Sequence, residues 1–218
     1  MRNPFAPQVL ETVTSKFSGE IKVIKSFGDT YISTGFLTQS GGLVKDVWTP
    51  VIKSLSRTYH LEPKTCLILG LAGGTVAGMI KKSFPDAQIT GVEIDPAMIS
   101  LGKKYLGLGD IPDLEIIVED AYLYIKNNES CIDLILVDLY IGDQLPEFVY
   151  SPKFIDKILK FGKIVVINHL FYDDAKKAAA QTLIELLKPL FPEIRLHRVL
   201  TNLMIICNHK NNSSPLLK

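Results

Sequence analysis

The strongest constraint on this chain is an alternation of short apolar runs with segments of helical period, sustained from about residue 62 to about residue 208. Cys66–Gly70, Gln88–Ile94, Leu114–Val118, Ile132–Val137 and Lys163–Ile167 read as strands. Val76, Met79 and Ile80 mark a helix after the first of them. Pro96 opens a second helix carrying Met98, Leu101 and Tyr105, and Ser151 with Pro152 starts another as cap and first helical residue. A long helix runs from Asp173 or Asp174 to about Pro189, with Leu183, Leu186, Leu187 and Leu190 as its apolar face and an acidic start that suits the positive end of the helix. Ile194–Leu200 and Leu203–Cys207 have almost no chain between them, so they are expected to pair antiparallel. Strands alternating with helices predict an α/β fold: a mostly parallel sheet covered by helices on both faces, in a three-layer, Rossmann-like sandwich. Ligands in such folds bind beyond the carboxyl ends of the strands.

This unit is assigned residues 61–209. Residues 1–60 read as a small appendage, in which Glu20–Phe27 alternates like a half-buried strand, Gly28-Asp29 is a turn, and Thr30–Thr34 is the return strand of a β-hairpin. Gly41-Gly42 breaks the chain. Thr49-Pro50 then resembles a helix start, with Val51, Leu55 and Tyr59 on one face. Residues 210–218 are expected to form a loose tail.

Composition narrows the function classes. The chain has 218 residues, 24 Lys+Arg against 23 Asp+Glu, and a net charge of +1. That near-balance gives no broad footprint for nucleic acid or anionic lipid, so neither is expected as a partner. The longest uncharged stretch, Cys66–Ile80, is too short and glycine-rich to span a bilayer. No secretory leader is visible, and a cytoplasmic protein is expected. Cys66, Cys131 and Cys207 are far apart in apolar runs, which predicts buried thiols. His60, His169, His197 and His209 show no metal-ligand spacing, and no metal is expected.

The chemistry gathers at the strand ends. The first strand runs into Gly70-Leu71-Ala72-Gly73-Gly74-Thr75, where a helix begins. Missing side chains let a ligand approach the backbone, and free N–H groups favour polar or anionic groups; a tight turn that needs glycine is the plainer reading. Ala72 breaks the dinucleotide fingerprint, and no phosphate-loop lysine is present. Glu93 ends the second strand roughly 20 residues further on, where a carboxylate accepts from the paired hydroxyls of a ribose. Asp95 is read as a helix cap. Asp120, with Ala121 after the third strand, either accepts from an adenine amino group or caps the next helix. Asp138 ends the fourth strand beside the first. Acidic groups at three strand tips fit a ligand with hydroxyls, an amine and a cationic centre better than a polyphosphate.

Taken together, Cys66–Thr75, Val92–Pro96, Asp120-Ala121 and Val137-Asp138 resemble the S-adenosylmethionine-type fold of the spermidine synthase superfamily, as does the stretch Gly35–Ser40 with Gln39. The resemblance implies a seven-stranded sheet with one antiparallel late strand, a small N-terminal β-hairpin unit, and a homodimer. It implies a site for S-adenosylmethionine or its decarboxylated form. Gly70, Ala72, Gly73 and Gly74 would lie under the donor's arm, Glu93 would hold the ribose, Ile94 would touch the adenine, and Asp120-Ala121 would meet the adenine edge. Asp138, Tyr140 and Asp143 would act on the reacting groups, with Gln39, Tyr140 and Asn168 toward a small-molecule acceptor. The chain departs from polyamine synthases where they read D-x-x-D-P: Ile141 and Gly142 stand at the second aspartate and the proline. Lys45–Trp48 likewise replaces their Tyr-His pair. The expectation is therefore methyl transfer, with aminopropyl transfer or nucleoside binding without catalysis as the alternatives.

Among the remaining residues, His169 is read as a wall or hydrogen-bonding residue, Gly142–Phe148 as a lid or a plain surface loop, and Trp48 as a pocket or core residue. Lys103-Lys104 and Lys176-Lys177 are read as solvated helix faces.

Overall fold

The computed structural model describes residues 6–208, so the expected tail at 210–218 lies outside the described residues. The main sheet has seven strands. These are β5 (Thr65–Leu69), β6 (Gln88–Glu93), β7 (Leu114–Val118), β8 (Ile132–Val137), β9 (Gly162–Leu170), β10 (Glu193–Val199) and β11 (Asn202–Asn208). Their order is β10-β11-β9-β8-β5-β6-β7. Pairings among β5 to β9 are parallel, and β11 is antiparallel to both of its neighbours, as expected. The sheet order reverses at β5, so the β5 and β8 tips form the switch point at which ligands bind in open α/β sheets.

Local signals account for the helices α2 (Thr75–Ser83), α3 (Pro96–Tyr105), α4 (Ala121–Asn127), α5 (Pro152–Phe161) and α6 (Asp174–Leu187). Asp95, Asp120, Ser151 and Asp173 each accept a backbone N–H in the first turn of their helix, which satisfies donors the helix itself leaves open. On α6 the buried face is Ala180, Leu183, Ile184 and Leu187. Leu190 lies beyond the helix and is largely exposed, so it does not belong to that face.

The N-terminal unit is larger than a hairpin. It is a four-stranded antiparallel sheet of β1 (Gln8–Ser15), β2 (Gly19–Ser26), β3 (Asp29–Thr34) and β4 (Leu37–Gly41). Ile21, Val23 and Ile32 from it pack on Met98 and Leu101 of α3. Helix α1 spans Leu43–Arg57, so Thr49-Pro50 is not its start but lies inside it. Packing offsets the proline: the buried face Val47, Trp48, Val51, Ile52 and Leu55 packs against Ile68, Leu134 and Leu136 of the main sheet. Burial on that scale outweighs one lost backbone hydrogen bond.

Cys66 and Cys207 are buried, and burial pushes both thiols up, Cys207 to about 12. Cys131 is exposed, against expectation, because it stands in the irregular segment before β8 rather than on the strand. No described helix is long and apolar enough to cross a membrane.

Candidate active site at the strand tips

The glycine loop after β5 is held by its neighbours. The Gly70 and Leu71 N–H groups donate to the Val92 carbonyl at 3.0 Å, and the Ala72 N–H donates to Glu93 Oε2 at 2.8 Å. The loop's glycines serve packing. A Cβ on Gly70, whose φ is +90°, would sit 2.2 Å from the Asp138 carbonyl oxygen. One on Gly73 would meet Ile32, Leu106 and Ser40 within 2.9 Å. Gly74, with φ +86°, would meet Leu108 at 2.3 Å. The absent side chains thus let β8, α3 and the N-terminal sheet close on the loop, which answers to the plain tight-turn reading. What the loop offers a ligand is its backbone edge and the carboxylate behind it. Ala72 adopts a left-handed backbone, φ +46°, which is uncommon for a residue with a side chain and is shared with turn residues such as Phe27 and Asp113.

That carboxylate is Glu93. Its Oε1 accepts the Asp95 N–H at 2.9 Å while Oε2 holds Ala72, so one side chain ties the β5 turn to the β6 turn. Burial is the main influence on it and raises its pKa; the backbone donors partly oppose this. Each oxygen still has a second lone pair, which two neighbouring hydroxyls can use. Ile94 beside it is 39% exposed, an apolar surface at the tip of β6. Asp120 caps α4 through Leu123 N–H at 3.0 Å, which is the capping alternative for that residue, and Ala121 is buried behind it.

Asp138 lies on the other side of the loop. Its N–H donates to the Leu69 carbonyl at 2.8 Å, which continues the β5–β8 pairing past the strand end. Its Oδ2 accepts from Trp48 Nε1 at 3.0 Å and its Oδ1 from Asn168 Nδ2 at 2.8 Å. The residue keeps some exposure, but the carboxylate is enclosed. Burial raises its pKa to about 6 against the pull of the two donors. Asn168 Oδ1 in turn accepts from Asn202 Nδ2 at 2.8 Å. Tyr140 donates its hydroxyl to the Asn168 carbonyl at 2.9 Å; burial, and then the Asp138 charge, hold that hydroxyl protonated. Asp138, Tyr140 and Asn168 therefore form one cluster, joined by Trp48, whose part in it the sequence did not reveal.

Asp143 is not in that cluster. It accepts from the Tyr172 hydroxyl at 2.5 Å and pairs with Lys176 at 2.9 Å, and these partners hold its carboxyl below the usual range. Lys176 is accordingly not a solvated residue: its side chain is 11% exposed. Both residues border a cavity of about 260 Å³ together with Leu145, Tyr150 and His169. His169 is a buried wall residue. It contacts the Tyr150 hydroxyl at 2.8 Å and the Leu170 carbonyl at 2.6 Å, and burial lowers its pKa. Gln39 donates to Thr34 Oγ1 at 2.8 Å. Its neighbours reach the loop: Ser40 Oγ lies 2.9 Å from Thr75 Oγ1, which also accepts the Gly41 N–H at 2.6 Å. Strand β4 is thereby fastened to the start of α2. Among the described residues, no three His, Cys, Asp or Glu side chains are grouped to hold a metal ion.

A seven-stranded sheet of this order, with a glycine turn after β5 and a carboxylate after β6 bound to that turn, defines the class: a Rossmann-like α/β fold of the class I methyltransferase kind. Within that class the chain belongs to the spermine/spermidine synthase domain family, whose model matches residues 46–195. It is 29% identical over 114 residues to the polyamine aminopropyltransferase of Sulfurisphaera tokodaii, covering 49% of this chain and 38% of that protein. The chain spans about two fifths of the length of such curated relatives. Among solved structures, a probable spermidine synthase from Corynebacterium glutamicum superposes with a TM-score of 0.77 at 16% identity, covering 92% of this chain and 80% of that one. Human methyltransferase-like protein 13, solved in complex with SAH, superposes with a TM-score of 0.63 at 22% identity, covering 75% and 81%. At these identities the structural likeness concerns the fold.

Proposed function

We propose that this chain is a transferase that moves a methyl group from S-adenosylmethionine to a small-molecule acceptor. The residues suit the donor. Glu93 has lone pairs for two ribose hydroxyls, Ile94 offers an apolar face for a base, and Asp138 is a desolvated carboxylate suited to a cation. Bound there, S-adenosylmethionine supplies a methyl carbon made electrophilic by the adjoining sulfonium. The chain's part is to fix that carbon in line with the acceptor and to exclude water, which can supply much of the rate without a strong base. The acceptor's lone pair forms the new bond as the carbon–sulfur bond breaks, its electron pair stays on sulfur, and the acceptor's proton leaves to solvent or to Asp138.

One observation carries the choice of methyl over aminopropyl transfer. Asp138 is the carboxylate of the strand-tip cluster, while Ile141 is 69% exposed and Asp143 is engaged by Lys176 and Tyr172. A dicationic polyamine needs several uncommitted carboxylates to offset its desolvation. The family match favours the second reading, aminopropyl transfer from decarboxylated S-adenosylmethionine. The setting we propose is a cytoplasmic homodimer, with no nucleic-acid or membrane partner. The test incubates the protein with each donor and a pool of small amines, thiols and carboxylic acids, and identifies the leaving product by mass spectrometry. Acceptor-dependent S-adenosylhomocysteine supports the proposal. Methylthioadenosine from the decarboxylated donor alone replaces it with the second reading. Donor binding without either product makes the chain a non-catalytic nucleoside-binding protein.

A further inference from the structure

We infer that Trp48 is a positioning residue for Asp138, through which the helix following the N-terminal sheet sets the charge that selects a cationic ligand. The functional half of this inference rests on the donor-site reading above; the positional half does not.

An indole has one polar atom, an N–H that only donates. Trp48 is fully buried, so that donor must find an acceptor within the protein. The acceptor lies 90 positions along the chain, at Asp138 Oδ2, 3.0 Å away. The other oxygen is taken by the Asn168 amide, and the orientation of that amide is set in turn: its Oδ1 accepts from Asn202, whose own Oδ1 accepts the Thr201 hydroxyl at 3.1 Å. Turning the Asn168 amide over would face donor against donor at Asn202 and acceptor against acceptor at Asp138. The carboxylate is thus gripped from two sides by groups that cannot exchange roles.

Both donors are neutral. Asp133 and Asp143 each have a lysine partner, through Lys163 and Lys176, but among the described residues no lysine or arginine pairs with Asp138. Its titratable neighbour is Tyr140, a phenol held protonated. Its backbone abuts Gly70, at the turn between the two adjoining strand tips. The structure therefore presents an oriented, desolvated negative charge without a counter-cation, and a ligand's cationic centre is the chemistry that completes it. Removing the indole N–H should free the carboxylate to turn and make it easier to protonate, since a donor to the charged form is lost.

The test compares Trp48→Phe, which keeps an aromatic ring but loses the donor, with Val51→Ala, which loosens the same buried helix face without touching Asp138. Affinities are measured by calorimetry for S-adenosylmethionine and for methylthioadenosine, which carries the adenosyl group but no cation. Trp48→Phe is expected to weaken the cationic ligand about tenfold, the scale of one hydrogen bond to a charged group, and methylthioadenosine less than about twofold. Val51→Ala is expected to affect both ligands alike. Equal weakening of both by Trp48→Phe, or no change, overturns the inference. If the unsubstituted protein binds neither ligand, the donor-site reading falls. The positional claim is then decided by NMR titration of the Asp138 carboxyl carbon. There Trp48→Phe should raise proton affinity about tenfold, and an unchanged midpoint overturns the claim.

Discussion

At the scale of single residues, two carboxylates hold opposite kinds of tension. Glu93 is a clamp: it joins the β5 and β6 turns through Ala72 and Asp95, and its spare lone pairs face a ligand-sized role. Glu93→Ala should lower affinity for S-adenosylhomocysteine by about ten- to a hundredfold, the worth of hydrogen bonds to a charged acceptor, as read by calorimetry. Asp138 instead carries an uncompensated charge. Burial pushes its carboxyl up to about 6 in the folded chain against 3.8 ordinarily. Between those values this carboxyl holds its proton more in the folded state than in the unfolded one, so its own contribution to stability falls as pH rises across that window, by about 3 kcal/mol. Chemical denaturation reads this as a difference: Asp138→Asn should gain stability relative to the unsubstituted chain on going from pH 4 to pH 7, and an unchanged difference would contradict it. A carboxylate kept at such a cost points to function rather than to folding.

At the scale of elements, the glycine turn is where folding and function press on the same atoms. Gly73→Ala places a methyl 2.8 Å from Ile32 Cδ1 and 2.9 Å from Leu106 Cδ1, side-chain ends that can shift, and 2.9 Å from Ser40 Cβ, which moves only with its strand; a loss of about 1–3 kcal/mol is expected. Gly70→Ala meets the Asp138 backbone carbonyl at 2.2 Å with φ +90°, and neither can yield cheaply. It should lose more stability than Gly73→Ala in thermal melts, and equal losses would contradict this ranking. The same elements show what was legible beforehand. Strands β5, β8 and β9 announce themselves because they are apolar runs buried on both faces, β7 at the sheet edge by its run of branched apolar residues, and α3 to α6 because polar caps precede their apolar faces. Strands β1 and β4 lacked such a signal: both are rich in polar residues, and β1 has no fully buried one. The start of α1 was obscured by Pro50, whose cost is met by tertiary packing. Glu93 and Asp138 were legible because the strand ends locate them. The Trp48–Asp138 bond was not, since it joins elements that only the finished fold brings together.

At the scale of the whole molecule, the N-terminal sheet and α1 act as walls of the site. Ile32 and Ser40 cover Gly73, Ser18 donates to Asp95 at 2.6 Å, Ser40 and Gly41 bind Thr75, and Trp48 grips Asp138. Deleting β1 to β4 would expose Met98 and Leu101 on α3 along with the glycine turn. The shortened chain should aggregate or melt well below the full chain, as read by light scattering and calorimetry, and an independently stable, soluble remainder would contradict this. The proposed function requires the two turns beside the β5 tip to hold an adenosyl donor between Glu93 and Asp138. Calorimetric titration of the full chain with S-adenosylmethionine, with NAD as the comparison, decides this. One saturable site for S-adenosylmethionine is expected, weakened by Glu93→Ala, and none for NAD; binding of NAD alone, or of neither, would contradict the proposal.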